Sequence, residues 1–327
     1  MSACADCLAA ATRRSPPVRR PRGDVWTVCS HDRTYPRQLG DLDHVADLQD
    51  APPVLFGCGL LDALASAERR ATVTIVGSRR ATPYGLAVAR QLARDLAAAG
   101  LVVVSGLAYG IDAAVHSGAL ESGGTTIAVL AGGPDVVYPA RAVALYRRIL
   151  ERGAAISERP PGTVPERWSF PTRNRIMAAV AEITVVVEAA QPSGSTITAN
   201  HAAKLGRTIG AVPGPINSRV SAGTIELLSD GAALIARAED VLDRLYGVGV
   251  VAAARVGPTL DPELEPVLAA VETGAGGPDA IAARTRLTGR EVAVALTRLE
   301  LLGYLRSDLA GSFSRTALQP PASTMRR

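Results

Sequence analysis

Large aromatic side chains are scarce in this chain: Phe, Trp and Tyr make up 4% of 327 residues, although apolar residues reach 47%. A core made mainly of Ala, Gly and Val suits a tightly packed α/β sheet, and this one is large enough to need no covalent staple. Cysteines are few, and all four (Cys4, Cys7, Cys29 and Cys58) lie near the N-terminus. Cys4 and Cys7 form a C-x-x-C pair, but no second pair follows at zinc spacing. They therefore read as reduced thiols in a poorly ordered tail, with zinc or redox chemistry as the alternative and no metal site expected. No uncharged apolar run is long enough to span a bilayer, and no signal-peptide core opens the chain, so a cytoplasmic protein without a membrane partner is expected. The chain has no Walker lysine, no Ser–His–Asp order and no metal-ligand cluster, which leaves no catalytic group to nominate. No glycine run has the G-x-G-x-x-G spacing, and no acidic residue ends the second strand to hold a ribose. Nicotinamide binding is thereby excluded, and no cofactor is expected.

What is present is a repeated unit of buried strand, glycine turn and helix. Val73–Val76 runs into Gly77-Ser78-Arg79-Arg80, and Leu101–Val104 into Ser105-Gly106-Leu107-Ala108-Tyr109-Gly110. Thr126–Leu130 runs into Ala131-Gly132-Gly133-Pro134, and Ile183–Glu188 into a turn ending in Ser193-Gly194-Ser195-Thr196. Further strands are expected at 154–156, 208–212 and 233–235. Near-continuous apolar strands alternating with helices predict a doubly wound, parallel α/β sheet. In such a sheet the turns share one edge, where helix N-termini and free N–H groups favour a phosphorylated ligand. The net charge of +4 agrees with a polyanionic partner without proving one.

The expected organisation is a disordered tail over 1–24, a lead-in segment packed on the core over 25–71, and the Rossmann-like domain over 72–246. A linker follows at 247–260, then a small domain over 261–317 and a disordered tail over 318–327. The small domain reads as three helices and a two-stranded wing, a winged-helix pattern. Its last helix offers Arg290 and Arg298 but also Glu291 and Glu300, which weighs against DNA reading by that helix.

Candidate ligand residues cluster at the turns. Arg79 stands just past a strand end, where its planar fork matches a phosphate. Phe170-Pro171-Thr172-Arg173-Asn174-Arg175 combines a ring for base stacking with cations for phosphates, the requirement of a single-stranded nucleic acid site. The other reading of its arginines is pairing with Glu166 or Glu182. Ser193, Gly194, Ser195 and Thr196 open a helix with exposed N–H groups, and Lys204 extends the basic surface further along it. Asp112 reads as a helix cap and His116 as a core histidine.

Together these strings resemble the DprA/Smf family of DNA-processing proteins: Val76-Gly77-Ser78-Arg79, Ser105 to Asp112 with His116, Tyr138-Pro139, Ile156-Ser157-Glu158, Phe170 to Arg175, Glu188 to Ala199 and Val212-Pro213-Gly214. Their order and spacing cover about 26–245. The resemblance implies an extended Rossmann domain that binds single-stranded DNA, forms a homodimer, and loads RecA recombinase during recombination or natural transformation. It also implies a C-terminal winged-helix-like module. The implied DNA-binding set is Gly77, Ser78, Arg79, Ser105, Gly106, Gly110, Phe170, Arg173, Asn174, Arg175, Ser193, Gly194, Ser195, Thr196 and Lys204. Too few residues precede Trp26 for the N-terminal helical domain common in the family. Two alternative readings are a phosphoribohydrolase of the lysine-decarboxylase-like fold, whose loop glutamate is missing here, and a winged-helix transcription factor.

Overall fold

The computed structural model describes residues 7–8, 25–248, 255–256, 260–275, 277–307, 312–315 and 318–319. Most of the tail expected at 1–24, and all of 320–327, lie outside the described residues. The chain divides into two compact units, 1–251 and 252–327.

The first unit is built on one nine-stranded sheet. Its strands are β1 (Val25–Cys29), β2 (Val54–Gly59), β3 (Thr72–Val76), β4 (Val102–Ser105), β5 (Thr126–Val129), β6 (Ala154–Ser157), β7 (Ile183–Val186), β8 (Thr208–Ala211) and β9 (Ala233–Leu234). The helices are α1 (Leu61–Arg69), α2 (Pro83–Ala98), α3 (Ile111–Glu121), α4 (Val143–Arg152), α5 (Ser169–Val180), α6 (Gly194–Lys204), α7 (Ala222–Ser229) and α8 (Ala238–Tyr246). Spatial order is β1-β2-β6-β5-β4-β3-β7-β8-β9. From β6 to β9 every neighbouring pair is parallel. The central strands are wholly buried, as expected of a sheet covered on both faces.

The chain leaves β3 in one direction through β4, β5 and β6. It then returns to pair β7 on the other side of β3, in register from Val73↔Ile183 to Val76↔Val186. That reversal makes the carboxyl ends of β3 and β7 the topological switch point, where the loops diverge and a crevice opens.

The lead-in segment differs from expectation. It adds strands β1 and β2 to the sheet, with β2 antiparallel to both β1 and β6, so the sheet is mixed rather than purely parallel. Gly57 and Gly59 conceal β2 in the sequence. The Trp26 ring occupies the space that a Gly57 side chain would fill, and its Nε1 donates to the Gly59 carbonyl at 2.9 Å. The indole supplies the apolar cover that these glycines lack.

His116 on α3 is fully buried, with Nδ1 2.8 Å from Thr126 Oγ1. The Thr126 hydroxyl donates to Val103 O at 2.8 Å, so Nδ1 carries the proton that completes the chain. Burial pulls the imidazole pKa from 6.5 down to about 3, and the Arg173 charge adds to the effect. The unfolded chain therefore takes up this proton first. The stability contribution is complete above about 6.5 and is lost as pH falls towards 3. Denaturant unfolding between pH 7 and 4 should show that decline, and His116→Gln should flatten it. An unchanged profile in the variant would remove His116 from the acid response.

The second unit contains α9 (Glu265–Glu272), α10 (Pro278–Thr285) and α11 (Gly289–Leu301), followed by an antiparallel wing of β11 (Leu305–Ser307) and β12 (Phe313–Arg315). Buried Val267, Ile281, Val292, Leu296, Leu299 and Tyr304 form its core. Two segments assigned to linker and tail contribute structure: β10 (Arg255–Val256) pairs parallel with β13 (Leu318–Gln319). The charges of α11 serve the fold. Thr288 and Glu291 form a capping box, Glu300 accepts from Ser307 N at 3.0 Å and Ser307 Oγ at 2.6 Å, and Arg298 pairs with Asp261 and Glu263.

Candidate nucleic-acid interface

The crevice at the switch point encloses about 670 Å³. Its walls come from four places: the turn after β3 (Gly77, Ser78, Arg79, Arg80), the turn after β4 (Ala108, Asp112), the start of α5 (Phe170, Arg173, Asn174) and the start of α6 (Ser193, Gly194, Ser195). Arg167 and Arg219 complete the lining. Five arginines thus face one carboxylate, that of Asp112, which sets a positive field in a partly enclosed space.

The turn after β3 is held by close backbone contact. Gly110 sits at φ 73°, and a Cβ there would drive into the Ser78 carbonyl oxygen and the Arg79 backbone. The next residue, Ile111, donates its N–H to Ser78 O at 3.2 Å. Gly110 is thus the support on which the Arg79 turn rests. Gly110→Ala incurs both a left-handed backbone and a steric clash, for a loss of about 1–3 kcal/mol in stability. It should also weaken binding of whatever anion Arg79 contacts. Denaturation curves and binding titrations on one preparation would check both effects, and a variant as stable as the parent would contradict the role.

Across the crevice, Phe170 stands at the second position of α5 with Pro171 after it, in the first turn where a proline costs no helical hydrogen bond. The Arg79 guanidinium stacks 5.1 Å from the centre of the Phe170 ring, and Tyr138 lies 5.5 Å from that ring at a 56° tilt. Tyr138 is 53% exposed. Two residues before Phe170, Trp168 is half exposed, with Arg159 over its ring at 5.0 Å. Exposed rings interleaved with guanidinium groups offer both base stacking and phosphate contact.

Arg173 forms the floor. Its Nη1 donates to Gly106 O at 3.0 Å and to Val129 O, tying α5 to the ends of β4 and β5. A Cβ on Gly106 would collide with that guanidinium. Burial pulls the Arg173 pKa down to about 10, with Asp112 opposing the shift and Arg79 adding to it. Arg173 remains a cation at neutral pH, but two carbonyls already engage it. Burial pushes the Asp112 carboxyl up, against the pull of Arg173 and of the Ala108 N–H bond. Asn174 braces the facing loop by donating to Gly194 O at 3.1 Å. Ser193 caps α6, accepting from Ser195 N at 3.3 Å, with its hydroxyl 2.7 Å from that of Ser195.

Six residues of the expected set do not line the crevice: Gly106 and Gly110, which support its walls, and four that have other places. Arg175 is 2% exposed and donates to both carboxylate oxygens of Glu158 at 2.8 and 2.9 Å and to the carbonyls of Gln49, Asp50 and Thr172. It is a structural cation outside the crevice lining, and its partner is Glu158 rather than Glu166 or Glu182. Lys204 ends α6, about 15 Å along the axis from Gly194, and pairs there with Asp47 at 3.2 Å. Ser105 is fully buried and bonds Ile75 O at 2.7 Å, joining β4 to β3. Thr196 donates to Ser193 O at 2.6 Å within the helix start and does not line the crevice. Glu188 supports the start of α2, accepting from Thr82 N at 2.9 Å and Thr82 Oγ1 at 2.5 Å. Sequence reasoning missed Tyr138, Arg167, Trp168 and Arg219 as site residues. Only adjacency to Phe170 could have signalled Arg167 and Trp168.

Comparison with known proteins agrees with this architecture. The family model described as DNA recombination-mediator protein A matches residues 26–246, and that of the DprA winged helix domain matches residues 251–309. A protein of Mycobacterium tuberculosis assigned as DNA processing protein DprA is 41% identical over 305 residues, covering 91% of this chain and 77% of its own. The X-ray structure of DNA processing protein A from Streptococcus pneumoniae superposes with a TM-score of 0.61 at 36% identity, over 72% of this chain and 76% of that one. DNA processing protein A from Helicobacter pylori, described with a single-stranded DNA binding mode, gives a TM-score of 0.59 at 29% identity, over 68% and 95%. With a matching sheet domain and a matching winged helix in the same order, this chain belongs to the DprA/Smf family of DNA-processing proteins.

Proposed function

We propose that the chain binds single-stranded DNA in the crevice between β3 and β7 and delivers it to RecA recombinase. The observation that carries this reading is the Arg79–Phe170–Tyr138 stack at a crevice lined by five arginines. A duplex hides its base faces, whereas a single strand presents them to stacking rings while its phosphates meet the guanidinium groups. Binding is expected to tolerate sequence, because base edges need not be read. Arg79, Arg80, Arg167 and Arg219 are the phosphate contacts, and Phe170 and Tyr138 are the platform. Arg173, Asn174, Ser193 and Gly110 hold the walls in place.

The crevice carries donors and cations but no base beside a nucleophile, so the reading is a holding site rather than a catalytic one. Delivery to RecA and assembly as a homodimer rest on the family resemblance. Exposed Ile216 and Leu234 near the β8–β9 edge offer apolar surface for a second copy. Two crevices in one dimer would add avidity on a long strand, and light scattering that gives only monomer at micromolar protein would remove that element. The test of the whole reading is a gel-shift series on single- and double-stranded DNA, followed by RecA filament formation with and without the protein. Preference for single strands and faster filament growth are expected. Equal or tighter binding of duplex would overturn the proposal.

A further inference from the structure

The strongest unassigned cluster lies at the margin of the sheet, where edge strand β1 ends. Cys7 and Cys29 are buried, at 8% and 2% exposure, and Cys7 packs with Cys29, Val54 and Phe56. His31 follows Cys29 by two residues in a tight turn. That turn is closed by Cys29 N donating to Asp32 Oδ2 at 2.7 Å and Asp32 N donating to Cys29 O at 2.8 Å. It puts Cys29 and His31 on one side, facing Cys7. The ligating atoms of the three residues all lie within 4.8 Å of one another.

The distances fit a shared ion. Cys7 Sγ is 3.5 Å and Cys29 Sγ 3.9 Å from the same atom, Nδ1 of His31. Around a tetrahedral zinc, with Zn–S about 2.3 Å and Zn–N about 2.0–2.1 Å, neighbouring sulfur and nitrogen ligands stand about 3.6 Å apart. A ring nitrogen has one in-plane lone pair or proton, enough for one directed hydrogen bond. Two sulfurs converging on it are better explained by a cation between them.

We propose that Cys7, Cys29 and His31 hold a zinc ion that clips the segment around Cys7 to the edge of the sheet. Two thiolates and one imidazole are the sulfur and nitrogen donors that zinc prefers. Binding releases the thiol protons, so the site weakens as pH falls. Clipping Cys7 beside β1 also guards an edge strand that would otherwise be open to pairing.

The test uses the full chain, purified under reducing conditions. Elemental analysis should find about one zinc per chain. Exchange with cobalt(II) should produce the thiolate charge-transfer band and the intense visible absorption of a tetrahedral site. Cys7→Ser, Cys29→Ser and His31→Ala should each lose the cobalt spectrum, and Cys58→Ala should keep it. Chelator should lower the melting temperature of the parent protein but not of Cys29→Ser. A reduced parent protein with no bound zinc and no cobalt band would overturn the proposal, and so would a Cys7–Cys29 disulfide recovered from fresh material. Because the cobalt spectrum is read on the unmutated chain, a variant that fails to fold leaves the test intact.

Discussion

Arg175→Ala is expected to destabilise the protein by about 3–5 kcal/mol, the cost of breaking a buried ion pair from one side. The guanidinium is 2% exposed and makes five hydrogen bonds, two of them to Glu158 and two to the carbonyls of Gln49 and Asp50. Removing it strands a carboxylate that is only 16% exposed and releases the loop before β2 from α5. Some of the loss would be recovered if water reached Glu158. The double variant Arg175→Met/Glu158→Gln, which leaves no unpaired charge, should be more stable than Arg175→Ala. Urea unfolding at pH 7 would measure both variants. The folded fraction of Arg175→Ala should bind DNA with an unchanged salt dependence, because this arginine does not line the crevice. A stable Arg175→Ala protein with weakened, flatter binding would return Arg175 to the DNA site.

The second large effect is at the crevice mouth. Phe170→Ala should cost about 1–3 kcal/mol in single-strand affinity through lost stacking, with little change in salt dependence. Arg79→Ala should act differently, weakening binding on every sequence and flattening the salt dependence. The two side chains touch, with the guanidinium 5.1 Å from the ring centre, so their effects should not add. Without the ring, Arg79 loses its stacking support, worth about 0.5–1 kcal/mol at an exposed site. The double variant should therefore lose less than the sum of the singles. Arg298→Ala, whose charge is already taken by Asp261 and Glu263, should leave single-strand binding almost unchanged. Strict additivity of Arg79→Ala and Phe170→Ala would separate the two groups in the complex.

Much of the sheet was legible because its central strands are unbroken apolar runs between glycine turns, and their parallel direction followed from the alternation with helices. β2 was not, because Gly57 and Gly59 interrupt its pattern and the side chain that covers them, Trp26, lies thirty residues earlier. At the site, Arg79 and Phe170 were legible from residue type and position, since a cation just past a strand end and a ring at a helix start both face the switch point. Arg173 and Arg175 were not separable by residue type alone. Once α5 begins at Ser169, two residues apart means about 200° of rotation, and the two guanidinium groups leave opposite sides of the helix. Lys204 failed for the complementary reason, because length along α6 carried it away from the crevice. Cys7 and His31 meet only through the course of β1, which no local spacing reveals.

Every DNA contact assigned above depends on single-stranded DNA binding in the crevice around Arg79. The most direct test is the affinity of wild type and Arg79→Ala for one oligonucleotide, measured across a range of salt concentrations with folding checked by thermal melting. Log affinity should fall linearly with log salt for both, with the slope flatter in the variant by about 0.7, the share of one neutralised phosphate. A folded Arg79→Ala protein with the affinity and slope of the parent would contradict it and move the DNA elsewhere on the molecule.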